Sequence, residues 1–144
     1  GKRGTRETVN HPGGVGILAI QNNNVYLVKQ YRYVFKKEIL EIPAGKLDKN
    51  ESPLKAAKRE LHEELGAITK NIHLLGEFYP SVGYTDEIIH LYLAEDLTFD
   101  KQNLDEDEFL DIVEMPINEF EKQIKLNKIK DGKTIAAFHL YNTL

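Results

Sequence analysis

The residues of this chain that are best placed to do chemistry are the acidic side chains between residues 45 and 67, in the sequence GKLDKNESPLKAAKRELHEELGA. Glu60, Glu63 and Glu64 are spaced so that an α-helix, which turns about 100° per residue, places all three on one face. Like charges this close repel one another. Such a face is either solvated at small cost or holds a hard divalent cation through its carboxylate oxygens, and the spacing alone leaves both interpretations open.

A helix over residues 53–65 is predicted to position these acids. Ser52 suits the N-cap, Pro53 suits the first helical position, and Gly66 suits the left-handed residue that ends a helix. The carboxylate face lies roughly 110° from the centre of the apolar stripe, so the acids are expected at the rim of the core and partly desolvated. The apolar residues that recur at three- and four-residue steps and predict that buried stripe are Leu54, Ala57, Leu61 and Leu65.

The rest of the chain alternates between predicted strands and predicted helices. Period-two or continuous apolar runs predict strands over residues 15–20, 25–31, 38–42, 72–79, 88–93 and 109–114. Helices are predicted over residues 117–126 and 133–142, with a stop at Asp131-Gly132 between them, and a polar loop over residues 98–108. This order predicts an α/β fold in which helices cover a mixed β-sheet on both faces.

The composition of the chain limits its function. Its 144 residues suit one domain, and 41% hydrophobic with 29% charged residues is ordinary for a globular protein. A net charge of −4 gives no basic footprint for nucleic acid, and no apolar run approaches the roughly 18 residues of a membrane span. The absence of cysteine excludes disulfides and thiolate metal sites and is compatible with a cytoplasmic enzyme.

The acidic segment resembles a Nudix box, which reads glycine, five residues, glutamate, seven residues, then Arg-Glu-apolar-x-Glu-Glu-x-Gly-apolar. Ala67 stands where a larger aliphatic residue is usual. The resemblance implies the Nudix fold, a mixed sheet sandwiched between helices in an α-β-α arrangement, and hydrolysis of a nucleoside diphosphate derivative. The positions that fill the box in register are Gly45, Glu51, Arg59, Glu60, Leu61, Glu63, Glu64 and Gly66.

The chemistry of phosphoanhydride hydrolysis favours the metal interpretation of the acids. Mg²⁺ combines a few carboxylates with substrate phosphates and water, polarises phosphoryl oxygens and lowers the pKa of coordinated water. Glu60 and Glu64 are therefore predicted as ligands of Mg²⁺, with Mn²⁺ as the alternative ion. Glu51 and Glu63 are close enough to bind or orient the ion, and the resemblance adds the backbone carbonyl of Ala44 as a further ligand.

Outside the box, most of the chain resembles the ADP-ribose pyrophosphatase branch of the family. Such an enzyme cleaves the pyrophosphate of ADP-ribose, or of a related nucleoside diphosphate sugar, and releases AMP and ribose 5-phosphate. This branch commonly has Ser-Pro-Gly where the present chain has Ser81-Val82-Gly83. The stretches that carry the resemblance are Arg6-Glu7, His11-Pro12-Gly13, and residues 28–32, 41–45 and 81–87.

The resemblance also implies roles for individual residues. Glu106, in the acidic loop, falls where similar enzymes have the general base, and Glu108 falls where they have a metal contact. Both residues alternatively belong to an acidic surface loop without a role. Catalytic roles are also expected for Glu63 and for Arg59, which lies four residues before Glu63 and is placed to hold an acid in position.

Substrate binding is expected at two arginines and one loop. Arg6 and Arg32 fall where similar enzymes hold the adenine end of the substrate, and a guanidinium stacks on a base or pairs with a phosphate. Either arginine alternatively has a purely structural role. Gly83 and Glu87 belong to the stretch that similar enzymes use for the substrate.

Similar enzymes form homodimers in which an N-terminal segment crosses to the other subunit. On that basis residues 1–12 are expected to be a remnant of a dimerisation segment, and Arg6 is expected to act in the partner's site. Three functional alternatives remain open at this point. One is a Nudix hydrolase of another nucleoside diphosphate derivative, such as an oxidised nucleotide or a dinucleoside polyphosphate. The second is an ADP-ribose sensor without turnover, and the third is a purely structural module that a metal ion stabilises.

Overall fold

The structure is a computed structural model that describes residues 3–102 and 110–144. Seven of the described strands form one mixed sheet, and β5 and β8 form a separate two-stranded sheet. The strands are β1 Gly14–Gln21, β2 Asn24–Arg32, β3 Lys37–Glu41, β4 Ala44–Lys46, β5 Ala67–Ile68, β6 Asn71–Phe78, β7 Ile89–Glu95, β8 Thr98–Phe99 and β9 Leu110–Pro116. The helices are α1 Pro53–Leu65, α2 Ile117–Lys125 and α3 Gly132–Tyr141, with a single 3₁₀ turn at Tyr33–Phe35.

The main sheet is built around β1. Its strands run in the order β3-β2-β1-β7-β6, with β4 paired to the first half of β1 and β9 paired along β2. β1 and β7 are parallel, from Gly14 opposite Ile89 to Ala19 opposite Ala94, and the other described pairs of this sheet are antiparallel. Because β4 leads directly into the loop before α1, this pairing fixes the start of the acidic segment against the centre of the sheet.

Alternate residues of the central strands enter two separate cores. Ile17 and Ala19 of β1 pack with Leu61 and Leu65 of α1 on one face. Leu18 and Ile20 of the same strand belong to the core that contains Phe120 of α2 and Phe138 of α3 on the opposite face. Since successive side chains of a strand point to opposite faces, α1 covers one side of the sheet and α2 with α3 covers the other. The predicted α-β-α sandwich is confirmed.

Most predicted elements are present, with bounds that differ by one or two residues. The short strands β4, β5 and β8 were missed, because two or three residues show no periodicity that a sequence can reveal. β8 lies inside the predicted loop and pairs with β5, which directly follows α1. The stop predicted at Asp131-Gly132 is instead the start of α3, because the Asp131 side chain accepts a hydrogen bond from the Thr134 N–H at 3.0 Å and caps the helix.

α1 has the bounds that the sequence predicted. Gly66 ends it at φ +63°, and its N–H bonds to the carbonyls of the preceding turn. Ser52 occupies the N-cap position, but its side chain makes no capping hydrogen bond. The prediction that Leu54 is buried is wrong, since this side chain is 42% exposed while Ala56 is fully buried. A helical wheel gives the angle of a residue correctly, but it does not show where the sheet beneath the helix ends.

The segment that precedes β1 is hydrogen-bonded to another loop. The N–H of Val9 donates to the carbonyl of Tyr84 at 2.7 Å, so the chain before β1 lies beside the loop that precedes β7.

α1, with 13 residues, is the longest helix of the described ranges, and none of the helices there is long and apolar enough to cross a membrane.

Candidate active site

Arg59 lies at the centre of the acidic cluster formed by α1 and the loop before it. Its Nε and Nη2 donate to the two oxygens of Glu51 at 3.1 and 2.8 Å. Its Nη1 donates to Glu60 at 2.6 Å and to Glu63 at 2.9 Å, and Nη2 also donates to the carbonyl of Lys46 at 3.0 Å. All five N–H groups of the guanidinium therefore have an acceptor, and three carboxylates share one cation.

The contact between Arg59 and Glu51 strongly favours the charged form of both residues. Hydrogen bonds from Arg59 lower the pKa of Glu51 to about 2, and the Asp48 N–H, which donates to the same carboxylate at 3.1 Å, acts in the same direction. In return the hydrogen bonds to Glu51, followed by those to Glu60, raise the pKa of Arg59. The loop before α1 is thus tied to the helix by a pair that stays ionised at neutral pH.

Gly45 in β4 makes room for Glu60. A Cβ atom at this position would lie 1.8 Å from Oε1 of Glu60, a distance at which two non-bonded atoms overlap. Glu60 itself is only 8% exposed. Any side chain at residue 45 would force the Glu60 carboxylate or β4 to shift, and the glycine that opens the acidic segment avoids this.

Glu64 connects α1 to the same strand. Its Oε2 accepts a hydrogen bond from the N–H of Ala44 at 2.9 Å, and its backbone carbonyl accepts one from the side-chain amide of Gln102. Glu64 is 3% exposed, so the row Ala56, Glu60 and Glu64 belongs to the buried side of the helix rather than to its rim. The carboxylates of Glu60 and Glu64 are therefore more desolvated than the rim position that the sequence predicted for them.

A cleft of about 520 Å³ opens beside this cluster. One part of its wall is acidic and comes from α1, and another part carries two cations, Arg32 from β2 and Lys133 from α3. An acidic wall suits a divalent cation and the basic side chains suit an anion, so the cleft suits a phosphate compound that binds together with a metal ion. The lining includes His11, Gln30, Arg32, Ala44, Gly45, Arg59, Glu60, Glu63, Glu64, Glu87 and Lys133.

Arg32 and Lys133 are held by a buried carboxylate, Glu41, at the end of β3. Arg32 donates to both oxygens of Glu41, from Nε at 2.6 Å and from Nη2 at 2.7 Å, and Lys133 Nζ donates to Oε2. Burial raises the pKa of Glu41, but its contacts with the two cations outweigh burial and lower the pKa below its ordinary value. The sequence analysis assigned no role to Glu41 or Lys133. Glu41 could have been noticed in the sequence, because it is a single glutamate between the apolar residues Leu40 and Ile42 at the end of a predicted strand.

Only some of the predicted substrate-binding residues line the cleft. Arg32 and Glu87 do so, and Oε1 of Glu87 lies 3.5 Å from Nδ1 of His11, which also lines the cleft. Gly83 lies in an exposed loop with open space around its Cβ position. Arg6 is also exposed, and its Nη1 donates to a neighbouring carbonyl at 3.0 Å. In the described part of a single chain, Gly83 and Arg6 are not among the residues that line the cleft.

The predicted general base Glu106 and the predicted metal contact Glu108 lie outside the described residues. The residues that flank their segment are described. Gln102 contacts α1 through the carbonyl of Glu64, and Leu110 pairs with Gln30, which lines the cleft.

The donor groups at the cleft fit a hard divalent cation. The carboxylates of Glu60, Glu63 and Glu64 and residue Ala44, whose carbonyl is a further donor, line the cleft, and Glu51 is bonded to Arg59 beside them. These groups offer only oxygen atoms, which Mg²⁺ and Mn²⁺ prefer. Among residues 3–102 and 110–144, no three acidic or histidine side chains converge as a metal-binding group. Three of the carboxylates are instead paired with the guanidinium of Arg59.

Known proteins are similar to this chain in sequence and in fold. The NUDIX domain model matches residues 10–138. The chain is 47% identical over 141 residues to the methanol dehydrogenase activator of Bacillus methanolicus, across 95% of this chain and 76% of that protein. It is 42% identical over 140 residues to the ADP-ribose pyrophosphatase of Bacillus subtilis (strain 168), again across 95% of this chain and 76% of the relative. Among solved structures, an ADP compounds hydrolase shares the fold at a TM-score of 0.83 and 24% identity, across 91% of this chain and 71% of that one.

Proposed function

This chain belongs to the Nudix family, and on that premise we propose that it hydrolyses the pyrophosphate bond of ADP-ribose or of a related nucleoside diphosphate sugar. The observation that carries the proposal is the cleft itself, where Glu60, Glu63 and Glu64 line a wall near the cations Arg32 and Lys133. The relative named ADP-ribose pyrophosphatase, at 42% identity, supports the choice of substrate.

Nudix hydrolases generally use divalent metal ions, and we assign Mg²⁺ to this one, with Mn²⁺ as the alternative. Glu60, Glu64 and Glu51 would hold the ion together with the carbonyl of Ala44, and Glu108 would add a contact. Bound there, the ion would supply charge neutralisation at the phosphates and a more acidic water. Gly45 supports this assignment, because it lets the Glu60 carboxylate lie against the strand that carries the Ala44 carbonyl.

The reaction needs a base and a fixed set of carboxylates. A water oxygen forms a bond to one phosphorus, the bridging P–O bond breaks, and AMP and ribose 5-phosphate are released. Glu106 is assigned as the base that accepts the proton of that water. Arg59 holds Glu63 and Glu60 through Nη1, at 2.9 and 2.6 Å, and so limits the positions that these carboxylates adopt.

The position of the flanking residues supports a role for the acidic loop. Gln102 donates to the carbonyl of Glu64 and Leu110 pairs with Gln30, so the described residues on either side of that loop contact residues that line the cleft. Closure of such a loop over the substrate would exclude water from the reacting phosphates.

Substrate recognition is assigned to the cationic side of the cleft and its rim. Arg32 would contact the adenine end or a phosphate, and Glu87 would hydrogen-bond the substrate from the segment before β7. Arg6 would act in a homodimer, in which residues near the N-terminus reach the other subunit's cleft, and Gly83 would contact the substrate from the loop before β7. The single-domain organisation and the cytoplasmic location expected from the sequence belong to the same proposal.

The deciding experiment is turnover of ADP-ribose with excess Mg²⁺, with the products separated by chromatography. The expected result is AMP and ribose 5-phosphate in equal amounts, dependent on the metal. Glu64→Gln should reduce the rate at least about 100-fold, because loss of one ligand misplaces the whole site. The matched control is Glu95→Gln, which removes the same charge from the end of β7, away from the cleft lining.

Other outcomes assign other functions. Turnover of a dinucleoside polyphosphate or an oxidised nucleotide, with none of ADP-ribose, would replace the substrate while keeping the hydrolase. Binding of ADP-ribose without any product would make the protein a sensor. The relative named methanol dehydrogenase activator suggests an action on another enzyme, and turnover by this chain alone would show that no such partner is needed for hydrolysis.

A further inference from the structure

Glu41 is a buried charge that the proposed reaction does not use. Its side chain is 4% exposed and lies at the end of β3, between two cations from different elements. Arg32 of β2 forms a two-pronged contact with it at 2.6 and 2.7 Å, and Lys133 of α3 approaches from the other side. Both oxygens of this carboxylate are therefore engaged by cations that line the cleft.

Stability alone is a weak reason for a buried carboxylate with two cations. Removing charges from water is costly, and well-packed apolar residues often stabilise a protein as much as a buried ion pair does. The contact does, however, have a strict geometry. A guanidinium that donates two parallel N–H groups to one carboxylate is fixed both in position and in the plane it adopts.

The backbone around Glu41 is fixed as well. The N–H of the next residue, Ile42, donates to Oγ1 of the fully buried Thr134 at 2.9 Å. Asp131, which caps the same helix, pairs with Lys133 at 3.0 Å. The end of β3 and the start of α3 are thus joined by contacts next to Glu41. The Glu41 carboxylate therefore has little freedom to move together with Arg32 or Lys133.

Arg32 lines the cleft and its side chain is accessible. Its side chain is 43% exposed although Glu41 is almost completely buried. Lys133, at 12% exposure, also reaches the cleft wall. Both cations of the cleft wall are thus held by the buried carboxylate of Glu41, while the Arg32 side chain stays partly accessible.

We propose that Glu41 is a positioning residue for substrate binding, which fixes the guanidinium of Arg32 and the ammonium of Lys133 at the wall of the cleft so that they meet the anionic diphosphate group. The inference rests on the proposed function, because it takes a nucleoside diphosphate sugar as the ligand. Glu41 acts through Arg32 and Lys133 and makes no contact with the substrate.

The test compares Glu41→Gln with the parent in steady-state hydrolysis of ADP-ribose. The substitution keeps the shape of the side chain and removes its charge. KM is expected to rise about tenfold, while kcat changes less than about threefold. Tenfold is the lower end of the loss of affinity or activity that follows when a residue that orients a metal ligand is removed. The matched control is Glu38→Gln, on the same strand but with a side chain 60% exposed, which should leave both constants unchanged.

A double-mutant cycle separates positioning from a general structural role. Arg32→Lys keeps the charge but loses the two-pronged contact, so it should raise KM by itself. If Glu41 acts through Arg32, adding Glu41→Gln to Arg32→Lys should raise KM much less than it does in the parent. If KM of the double variant rises by the product of the factors found for the two single variants, the proposal is overturned, because Glu41 would then act independently of Arg32.

Folding and function are monitored separately in this experiment. Thermal unfolding of each variant is recorded first, and if Glu41→Gln does not fold, Glu41→Asp is used, which keeps the charge but withdraws it by one methylene group and should raise KM as well. An active parent whose KM is unchanged by the substitution at Glu41 overturns only this inference. A parent that produces no AMP from ADP-ribose overturns the proposed function and this role of Glu41 with it.

Discussion

Arg59 and Glu51 form a two-pronged hydrogen-bonded pair, with Nε and Nη2 of the guanidinium at 3.1 and 2.8 Å from the two carboxylate oxygens. The pair links the middle of α1 to the loop that precedes it, and the remaining donors of Arg59 hold Glu60 and Glu63. One arginine therefore sets the positions of three carboxylates at the cleft. The effects of changing this pair, and the residues around it, can be measured.

Removal of Arg59 should make the protein less stable without metal and more responsive to metal. In Arg59→Met three carboxylates lose their shared cation, so the free energy of unfolding should fall by about 3 kcal/mol in the presence of a chelator. Added Mg²⁺ should then raise Tm more in the variant than in the parent, because the ion takes over the neutralisation of the carboxylates. Lys58→Met, at the neighbouring exposed position of the same helix, is the control. An equal Mg²⁺ response in both variants would contradict this prediction.

The stability contributed by Glu51 should depend on pH. Its pKa is about 2 in the folded protein against an ordinary value of 4.5, so the unfolded chain binds the proton more readily. The contribution is therefore complete above about pH 4.5 and is lost as the pH falls towards 2. Urea unfolding of the parent and of Glu51→Gln at several pH values should give a difference in unfolding free energy that shrinks over this range. A difference that stays constant down to pH 2.5 would argue against the pairing.

Gly45→Ala should inactivate the enzyme. The new Cβ would lie 1.8 Å from Glu60 Oε1, so the Glu60 carboxylate or β4 must move. Displacement of a catalytic group by about 1 Å costs about 100-fold in rate, and a loss of at least this size in kcat/KM for ADP-ribose is expected. Gly76→Ala in β6 is the control, since its Cβ would meet only the flexible end of Leu140 at 3.2 Å. Full activity in Gly45→Ala would show that the position of Glu60 does not matter.

Thr134→Val should destabilise the fold without changing the shape of the side chain. Oγ1 of Thr134 accepts the Ile42 N–H at 2.9 Å in a fully buried position, and valine would leave that N–H without its acceptor. The expected loss is about 2 kcal/mol in the free energy of unfolding, measured by urea denaturation. Thr143→Val is the matched control, because the Thr143 hydroxyl lies at the exposed end of the chain and bonds only to the Leu140 carbonyl. Equal effects at the two positions would contradict the burial argument.

The order of strands and helices and the limits of α1 could be read from the sequence because they depend on local patterns. Apolar periodicity, Pro53 at the first helical position and Gly66 after the last one are properties of neighbouring residues. The short strands β4, β5 and β8 have no such pattern. They exist because distant segments, such as Thr98–Phe99 and Ala67–Ile68, are brought side by side by the rest of the fold.

For the site, the sequence by itself determined that Glu60, Glu63 and Glu64 share a helical face and that Arg59 reaches Glu63, because both follow from helical spacing. Only the tertiary structure decided how deeply Glu60 and Glu64 are buried, since burial depends on the strand that lies against the helix. It also decided that Glu41 holds Lys133, a residue 92 positions further along the chain. Contacts over such distances depend on how the sheet and α3 pack, and no periodicity in the sequence specifies that packing.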